Sequence, residues 1–330
     1  MRLVTYADGA GAKRIGALIE DDRSLVDLAR ASECVHGEAA GMFQTMLALI
    51  EAGEPGLIAA SELAGAPPAE AVLSTDSVRL HAPLPRPTQI RDFMAFEGHA
   101  RGAREVHFRK SASRKPDPDA AFEEYRRRGQ LDPPPVWFEQ PIYFKGNRMT
   151  VIGPDEDIVY PGFTKELDYE LELAVVIGRK GVNIPEVEAR ASIFGYTIFN
   201  DVSARDVQIA EMRGQLGPAK GKDFDTGNVL GPCIVTADEI PDPYDLDMRA
   251  RLNGEELSHG NSGDIYHSFE RMIAHVSRDE TIWPGEVFGS GTIGGGSGHE
   301  HFRLLNPGDV VELEIERIGV LRNRVAPPRA

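Results

Sequence analysis

The 330-residue sequence has little cysteine and no long apolar run. Its two cysteines, Cys34 and Cys233, are far apart and show no CxxC spacing, which excludes a disulfide framework and a cysteine-rich zinc site. Charged residues come too early for a signal peptide, and no stretch approaches the ~20 apolar residues of a membrane span. We therefore expect a cytoplasmic protein with no membrane partner.

The sequence also lacks an excess of basic charge. Its 36 Lys and Arg residues stand against 52 Asp and Glu residues, a net charge of −16. Such a charge opposes attraction to phosphate backbones and to anionic lipid. We therefore expect no nucleic-acid partner.

Hydrophobic periodicity predicts two domains. In residues 1–82, alternating MRLVTY and IGALI predict a hairpin, and LVDLARAS and MFQTMLALIEAG predict short amphipathic helices. The proline-rich stretch HAPLPRPTQ then favours a boundary, which places the second domain at residues 83–330. Residues 101–140 are polar and lack the apolar rows of a core element, so we expect a surface excursion, either a lid or a disordered insertion.

Strand-like runs such as YELELAVVIG, SIFGYTIFN and VVELEIERIGVL dominate the second domain. Helical periodicity is confined to short pieces, and the regular alternation of β-α-β units is absent from the pattern. The fold class predicted is α+β, mostly β.

Acidic residues follow one another at alternate positions in KELDYELELAVVIG. In a strand, Asp168, Glu170 and Glu172 would share one face, which continues into an apolar row. Carboxylates at the mouth of a core repel one another, and a hard cation relieves that repulsion. The alternative is a charged strand edge that deters aggregation.

Two further segments carry candidate site residues. In FNDVSARDVQ, Asp201, Arg205 and Gln208 have the spacing of one helical face, with Asp201 near the helix start; a capping aspartate with an exposed ion pair is the alternative. In RDFMAFEGH, Asp92 and His99 flank apolar residues, and a structural histidine is the alternative there.

Other motifs are weaker. The glycines of FGSGTIGGGSG have dinucleotide-fingerprint spacing but no helix follows them, GPAKGKD departs from a phosphate loop, and no serine lies in a nucleophile elbow. His299 and His301 could ligate a transition metal, but no full ligand set accompanies them.

In this order, the segments resemble the fumarylacetoacetate hydrolase family over residues 88–325. The resemblance is carried by RDFMAFEGH, PIYFKGN, LDYELELAVVIG, FGYTIFNDVSARDVQ, GPAKGKDFDTGNVLGP and SRDETIWPGEVFGSGTIGG. It implies a mixed β-roll catalytic domain, a homodimer, and a divalent cation, Mg²⁺ ahead of Mn²⁺ or Ca²⁺. It also implies a small keto-acid substrate.

The resemblance assigns roles to single residues. Four carboxylates are implied metal ligands, namely Glu170 and Glu172 of the E-x-E pair, Asp201 of the N-D-x-S-A-R-D motif, and Asp92. His99, seven residues after Asp92, takes the place of the catalytic histidine. The other implied site residues hold substrate or stabilise negative charge: Arg205, Gln208 and Lys222 as catalytic groups, and Lys145 and Thr292 as substrate-binding groups.

The sequence departs from the family pattern in two places. Smaller members carry a glutamate three residues after the histidine, where this chain has Gly102. The acidic partner of His99 is therefore open, with candidates Glu105, Glu123 and Glu124. Met94 and Met212 stand where fumarylacetoacetase presents aromatic residues to its substrate.

The resemblance implies a metal-dependent hydrolase that cleaves a C–C bond of a 1,3-diketo acid through a metal enolate, as in aromatic catabolism. The alternative is a 2-keto acid enol isomerase or decarboxylase that uses the same metal site. A third hypothesis is a non-catalytic metal or ligand-binding protein. A basic cluster in the predicted lid could attract an anionic substrate or form a solvated loop: Arg101, Arg104, Arg109, Lys110, Arg114 and Lys115.

Overall fold

A computed structural model describes residues 1–9 and 11–329 of the chain. Among these residues, no helix combines the length and apolar character needed to cross a bilayer. The strands are β1 Arg2–Ala7, β2 Lys13–Ile19, β3 Ser24–Asp27, β4 Val72–Ser74, β5 Arg79–His81, β6 Gln89–Phe93, β7 Tyr143–Gly146, β8 Val151–Ile152, β9 Ile158–Val159, β10 Leu167–Asp168, β11 Leu171–Ile177, β12 Ile193–Asp201, β13 Ser203–Ala204, β14 Asn228–Thr236, β15 Asp247–Leu252, β16 Glu255–Asn261, β17 Glu286–Gly289, β18 Val310–Ile315 and β19 Gly319–Ala326.

Helices lie mainly in the first half of the chain. They are α1 Leu28–His36, α2 Met46–Gly65, α3 Glu97–Ala112, α4 Pro118–Arg127, α5 Pro135–Glu139, α6 Glu186–Ala189, α7 Arg205–Arg213 and α8 Phe269–Val276. The predicted hairpin is β1 and β2, and the two predicted amphipathic helices are α1 and α2. Helix α2 is kinked at Gly53, whose φ of 61° is left-handed, two residues before Pro55.

One large mixed sheet organises the molecule. Its strand order is β4-β3-β2-β1-β14-β12-β11-β17-β6-β7, with β5 paired to β1 and β8 paired to β14. A second sheet has the order β16-β15-β18-β19-β9, and β10 and β13 form a short ribbon. The α+β class with a mixed sheet, predicted from the sequence, is confirmed.

The central strands are buried on both faces, which explains their composition. All seven residues of β11 and all nine of β12 are buried, and both strands are rich in β-branched, aromatic and leucine side chains. The two strands pair antiparallel, with Leu171 opposite Asn200 and Glu172 opposite Phe199. This register brings the start of β11 and the end of β12 to one edge of the sheet.

Residues 1–82 contribute β1 to β5 to this same sheet, because β1 pairs with β14 through Arg2 opposite Val235 and Leu3 opposite Ile234. The apolar residues of α1 and α2 pack in one cluster with Ala174, Val176 and Phe199 of the central strands. The division at residues 82 and 83 stays a prediction.

The predicted surface excursion, residues 101–140, is helical, so the alternative of a disordered insertion was wrong, and the alternative of a lid stays a prediction. The segment contains most of α3 and all of α4 and α5. Val106, Phe122 and Trp137 are buried, and the Trp137 indole Nε1 donates to the Met94 carbonyl at 2.7 Å. Widely spaced single apolar residues anchor these helices, which is why no continuous apolar row marks them in the sequence.

Candidate metal and acid–base site

Three carboxylates from three strands meet at one edge of the main sheet. Asp92 lies near the end of β6, Glu172 near the start of β11, and Asp201 ends β12. One oxygen of each lies within 4.8 Å of the others, and all three side chains are buried. Strand β17 runs between β6 and β11. Its Gly289 leaves room for the triad, because a Cβ there would lie 2.6 Å from a Glu172 oxygen and 2.7 Å from an Asp92 oxygen.

The triad fits a divalent cation. Oδ1 of Asp92 and Oδ1 of Asp201 are buried with no hydrogen-bond partner among the described residues. Burial, reinforced by the charge of Glu172, raises the pKa of Asp92 well above its ordinary value. Burial and neighbouring carboxylates also raise the pKa values of Glu172 and Asp201. A hard cation with oxygen ligands would remove both the lost solvation and the repulsion.

Glu170 lies beside the triad with partners of its own. Its Oε1 accepts from Arg205 Nη2 at 2.7 Å, and its Oε2 accepts from Lys222 Nζ at 2.5 Å. Burial opposes its ionisation, but the Arg205 and Lys222 cations outweigh burial and hold the pKa of Glu170 well below its ordinary value. Ligation of the metal by Glu170 stays a prediction.

The predicted acidic row spans two strands in the structure, and two of its members share Arg205 as a partner. Strand β10 ends at Asp168 and β11 begins at Leu171, so Glu170 lies between two strands. Asp168 accepts from Arg205 Nε at 2.8 Å and from the backbone N–H of His299 at 3.1 Å. The single strand predicted here is therefore interrupted, but Asp168 and Glu170 still lie on one side of the chain, because Arg205 Nη2 lies 2.7 Å from an oxygen of each. All three carboxylates are buried.

Lys222 and Arg205 bring positive charge to this acidic edge. Lys222 Nζ donates to Asp201 as well as to Glu170. Burial alone would lower the pKa of Lys222, but the charges of Asp201 and Glu170 raise it above its ordinary value. Arg205 Nη1 also donates to Gln208 Oε1 at 3.2 Å. The structure thus groups Arg205, Gln208 and Lys222, as the resemblance implied.

Asp201 does not begin a helix, contrary to the sequence expectation. The chain stays extended through β13, because Ser203 and Ala204 pair with Asp168 and Leu167 of β10. Helix α7 begins only at Arg205. Asp201 reaches the site as the last residue of a strand.

His99 has an acidic partner that the sequence analysis missed. Its Nδ1 lies 2.8 Å from Glu300 Oε2, and its Nε2 lies 3.4 Å from Glu170 Oε1. Burial opposes the imidazolium form, but Glu300 and Glu170 outweigh it and raise the pKa of His99 to about 9. Gly295 N and Ser297 Oγ donate to the Glu300 carboxylate at 3.0 and 2.8 Å and hold it in place.

Gly102 makes room for this partner. A Cβ at residue 102 would overlap the carboxylate of Glu300, so any larger side chain would displace it. The three candidates named from the sequence bind arginines instead: Glu105 with Arg109, Glu123 with Arg126, and Glu124 with Arg127 and Arg128. The signal available in the sequence was Glu300 itself, an acidic residue between His299 and His301.

The remaining predicted residues differ in their placement. Thr292 is buried in the loop after β17. Lys145 is half-exposed and lies 3.9 Å from Glu280. Its neighbour Phe144 faces Lys222, with the ammonium 5.8 Å from the ring centroid. Because side chains alternate along β7, Lys145 points away from this group, and the structure does not bring it into the site.

His299 and His301 do not form a metal centre among the described residues. His301 Nε2 lies 2.7 Å from the Gly295 carbonyl oxygen. Burial, followed by the positive charge of Arg205 and Lys110, lowers the pKa of His299 to about 3. Of the described residues, the His/Cys/Asp/Glu group with the spacing of a metal site is the carboxylate triad.

A family model described as fumarylacetoacetate (FAA) hydrolase C-terminal matches residues 103–326. The chain belongs to the fumarylacetoacetate hydrolase family. The matched range contains Glu172, Asp201 and Glu300, whereas Asp92 and His99 precede it. The family assignment made from the sequence motifs is confirmed.

Two sequence relatives of this chain are named as oxaloacetate tautomerases. The human protein named oxaloacetate tautomerase FAHD2A, mitochondrial, is 40% identical over 188 residues, which are 57% of this chain and 59% of the relative. The Xenopus laevis protein named oxaloacetate tautomerase fahd2, mitochondrial, is 40% identical over 188 residues, 57% of this chain and 58% of the relative. The chain thus spans less than two thirds of the length of these relatives.

Two solved structures match all or nearly all of the chain. Fumarylacetoacetate hydrolase from the psychrophile Exiguobacterium antarcticum is 27% identical, with a TM-score of 0.73 and coverage of 100% of both chains. The 5-carboxymethyl-2-hydroxymuconate delta-isomerase from Mycobacterium smegmatis is 24% identical, with a TM-score of 0.68 and coverage of 99% of this chain and 100% of the other. The second likeness shows the fold alone.

The cytoplasmic location stays a prediction, because the two sequence relatives are named as mitochondrial proteins.

Proposed function

We propose that this chain is a divalent-cation-dependent enzyme of small 2-keto acids, and that its reaction is the keto–enol tautomerisation of an oxaloacetate-like dicarboxylate. The observation that carries the proposal is the position of His99, which is bound to Glu300 through Nδ1 and faces Glu170 beside the triad through Nε2. An acid–base group next to a cation site suits proton transfer at a carbon beside a carbonyl. The names of the human and Xenopus relatives support this choice of substrate.

The triad residues Asp92, Glu172 and Asp201 would hold the cation. When bound, a divalent cation supplies Lewis acidity, which polarises a keto oxygen and makes the neighbouring C–H bond more acidic. We assign no particular ion, although Mg²⁺ is the first to test.

The side chains of the protein move the proton and stabilise charge. In the enol-to-ketone direction, His99 as imidazolium gives its Nε2 proton to the carbon beside the carbonyl while the enol O–H proton passes to solvent. In the reverse direction, the neutral imidazole takes the proton from that carbon and the keto oxygen gains one from solvent. Glu300 orients the imidazole and stabilises its protonated form. Lys222 and Arg205 supply positive charge where the substrate oxygens become negative, and Gln208 and Thr292 offer hydrogen bonds to its polar groups.

Hydrolysis of a 1,3-diketo acid is the second candidate, favoured by the full-length likeness to the Exiguobacterium antarcticum hydrolase. There His99 would take a proton from water while the water oxygen bonds to a carbonyl carbon. The C–C bond then breaks, and the leaving carbon receives a proton. The products would be a carboxylic acid and a 2-keto acid. Decarboxylation of a 2-keto acid at the same site would release CO₂ instead.

Product analysis separates these reactions. We would incubate chelator-treated protein with enol oxaloacetate and with a panel of acylpyruvates, with and without Mg²⁺ or Mn²⁺, and follow enol absorbance and NMR spectra. Metal-dependent conversion of the enol to the ketone, with all carbon retained, supports the tautomerase. Cleavage of an acylpyruvate to pyruvate and an acid supports the hydrolase, and CO₂ with pyruvate supports a decarboxylase.

A protein that binds these acids saturably, yet forms no product from any of them, would contradict enzymatic function and support the ligand-binding hypothesis. We also propose a homodimer, which light scattering of the purified protein tests directly.

A further inference from the structure

Helix α7 and the loop after it present the positively charged half of the site. Arg205 and Gln208 lie on the helix, and Lys222 lies beyond an exposed connection that includes Leu216. Lys222 donates to both Glu170 and Asp201, so its position relative to the triad depends on the path of this loop. The residues that hold the loop are therefore of functional interest.

Glu211, near the end of α7, binds three consecutive backbone amides of the loop. Its Oε2 accepts from Ala219 N at 3.0 Å and from Gly221 N at 3.1 Å, and its Oε1 accepts from Lys220 N at 2.6 Å. Successive N–H groups that converge on one anion form a strong, directional binding site for it. Burial opposes ionisation of Glu211, but these three amides outweigh it and lower its pKa.

The loop also lies against the helix backbone at one glycine. A Cβ on Gly221 would lie 2.7 Å from Gln208 N and 2.8 Å from Gln208 Cα, so only glycine allows this approach. The Gly221 carbonyl accepts from Ala204 N at 2.7 Å. Gly221 is thus fixed at its amide by Glu211, at its carbonyl by β13, and at its α-carbon by Gln208, directly before Lys222.

We propose that Glu211 is a positioning residue. Its carboxylate binds the backbone amides of Ala219–Gly221 to α7 and thereby holds Lys222 in place beside Arg205 and Gln208. The proposal rests on the proposed function only for the role of Lys222 in turnover. The attachment of the loop by Glu211 can be measured without any substrate.

The first test uses the purified full chain without substrate and compares wild type with Glu211→Ala and Glu211→Gln. In Glu211→Ala, hydrogen exchange of the Ala219–Gly221 amides should become at least about tenfold faster, because their acceptor is lost. Amine labelling of buried Lys222 should rise at least about fivefold relative to exposed Lys220. Glu211→Gln keeps one acceptor oxygen, so its exchange and labelling rates should lie between those of wild type and Glu211→Ala. Unchanged exchange and labelling would overturn the proposal whether or not the protein is active.

Glu62→Ala is the matched control, because Glu62 is exposed on α2 and makes no side-chain hydrogen bond to a described residue. It should leave both measurements at wild-type values. A Glu62→Ala variant that reproduced the Glu211→Ala changes would also overturn the proposal, since the changes would then not depend on the carboxylate at the loop.

The second test asks whether Glu211 acts through Lys222. In the wild-type background, Glu211→Ala should lower kcat about tenfold and change KM less than about twofold, since Lys222 stabilises charge that develops during the reaction. In a Lys222→Gln background, the same substitution should change kcat less than about twofold. An equal loss in both backgrounds would overturn the positioning role. If wild type turns over no keto acid, the proposed function fails, and exchange and labelling still decide the loop attachment.

Discussion

Buried aspartates in two parts of this protein differ in the number of hydrogen-bond donors that their carboxylates have. Asp27, in the N-terminal part of the sheet, accepts from Tyr6 Oη at 2.7 Å, from Arg14 Nε at 2.5 Å and from Arg30 N at 3.0 Å. At the site edge, Asp92 and Asp201 each keep a buried oxygen without a hydrogen bond from a described residue. Burial opposes ionisation in both places. Arg14 and the Arg30 amide lower the pKa of Asp27, whereas carboxylate neighbours raise that of Asp92.

The difference separates a structural carboxylate from a functional one. A buried carboxylate with a full set of donors stabilises the fold that positions those donors. A buried carboxylate without them destabilises the protein until a cation or ligand arrives, and such groups concentrate at functional sites. Composition and exposure alone would have placed these residues in one class.

The largest expected effect comes from removing the acid–base group that lies between two carboxylates. His99→Ala should lower kcat about 10²–10⁴-fold, the range for loss of a positioned proton-transfer group, while Mg²⁺ or Mn²⁺ affinity stays near wild type. Steady-state kinetics and calorimetric metal titration measure the two quantities. His36→Ala, at the exposed end of α1, is the control and should match wild type. Near-normal turnover in His99→Ala would contradict the assigned role.

A smaller effect is expected from moving the carboxylate partner of His99. Glu300→Ala should lower kcat about 10–100-fold because the imidazole loses its orienting anion. Adding Gly102→Glu to that variant should recover about tenfold, because residue 102 lies one helical turn after His99 and the space of Glu300 is then empty. Gly102→Glu alone collides with Glu300 and should not raise kcat. No recovery in the double variant, with the fold intact by circular dichroism, would argue that position 300 is essential for another reason.

The two aspartate environments should respond oppositely to removal of charge. Asp92→Asn should weaken divalent-cation binding at least about tenfold, yet leave the free energy of unfolding in chelator unchanged or raised by about 1 kcal/mol, because it relieves repulsion. Asp27→Asn should lower that free energy by about 1–3 kcal/mol by weakening bonded donors, with metal affinity unchanged. Urea unfolding in chelator and metal titration test both variants. A loss of stability in Asp92→Asn equal to that in Asp27→Asn would remove the distinction.

The smallest expected effect is the pH dependence of the difference in unfolding free energy between wild type and Asp27→Asn. The folded-state pKa of Asp27 is lowered, so its contribution to stability is present above its unfolded pKa of about 3.9 and is lost as pH falls through the folded pKa. The stability difference between wild type and Asp27→Asn should therefore be constant near neutral pH and become smaller below about pH 4. Urea midpoints measured from pH 7 downward test this, and a difference that grows on acidification would give the wrong sign.

Local pattern was sufficient for the elements whose partners are near in sequence. The β1–β2 hairpin and helices α1 and α2 follow from period-2 and period-3.6 spacing within a few residues. The carboxylates Glu172 and Asp201 were identified from motifs on neighbouring strands. The helices of residues 97–139 were missed, because the side chains that hold them, such as Phe122 and Trp137, are isolated in sequence and become apolar anchors only on packing.

The sequence by itself determined the family, the mixed sheet, and the types of side chain at the site: carboxylates, one histidine, and the cations of Arg205 and Lys222. The tertiary structure alone decided how those charges are partnered. It gives Glu170 the partners Arg205 and Lys222, keeps Asp201 on a strand, and brings Glu300 to His99 across 201 positions of sequence. The reason is that the pKa of a buried group and its hydrogen bonds depend on distances of a few ångströms, which strand register and loop packing set.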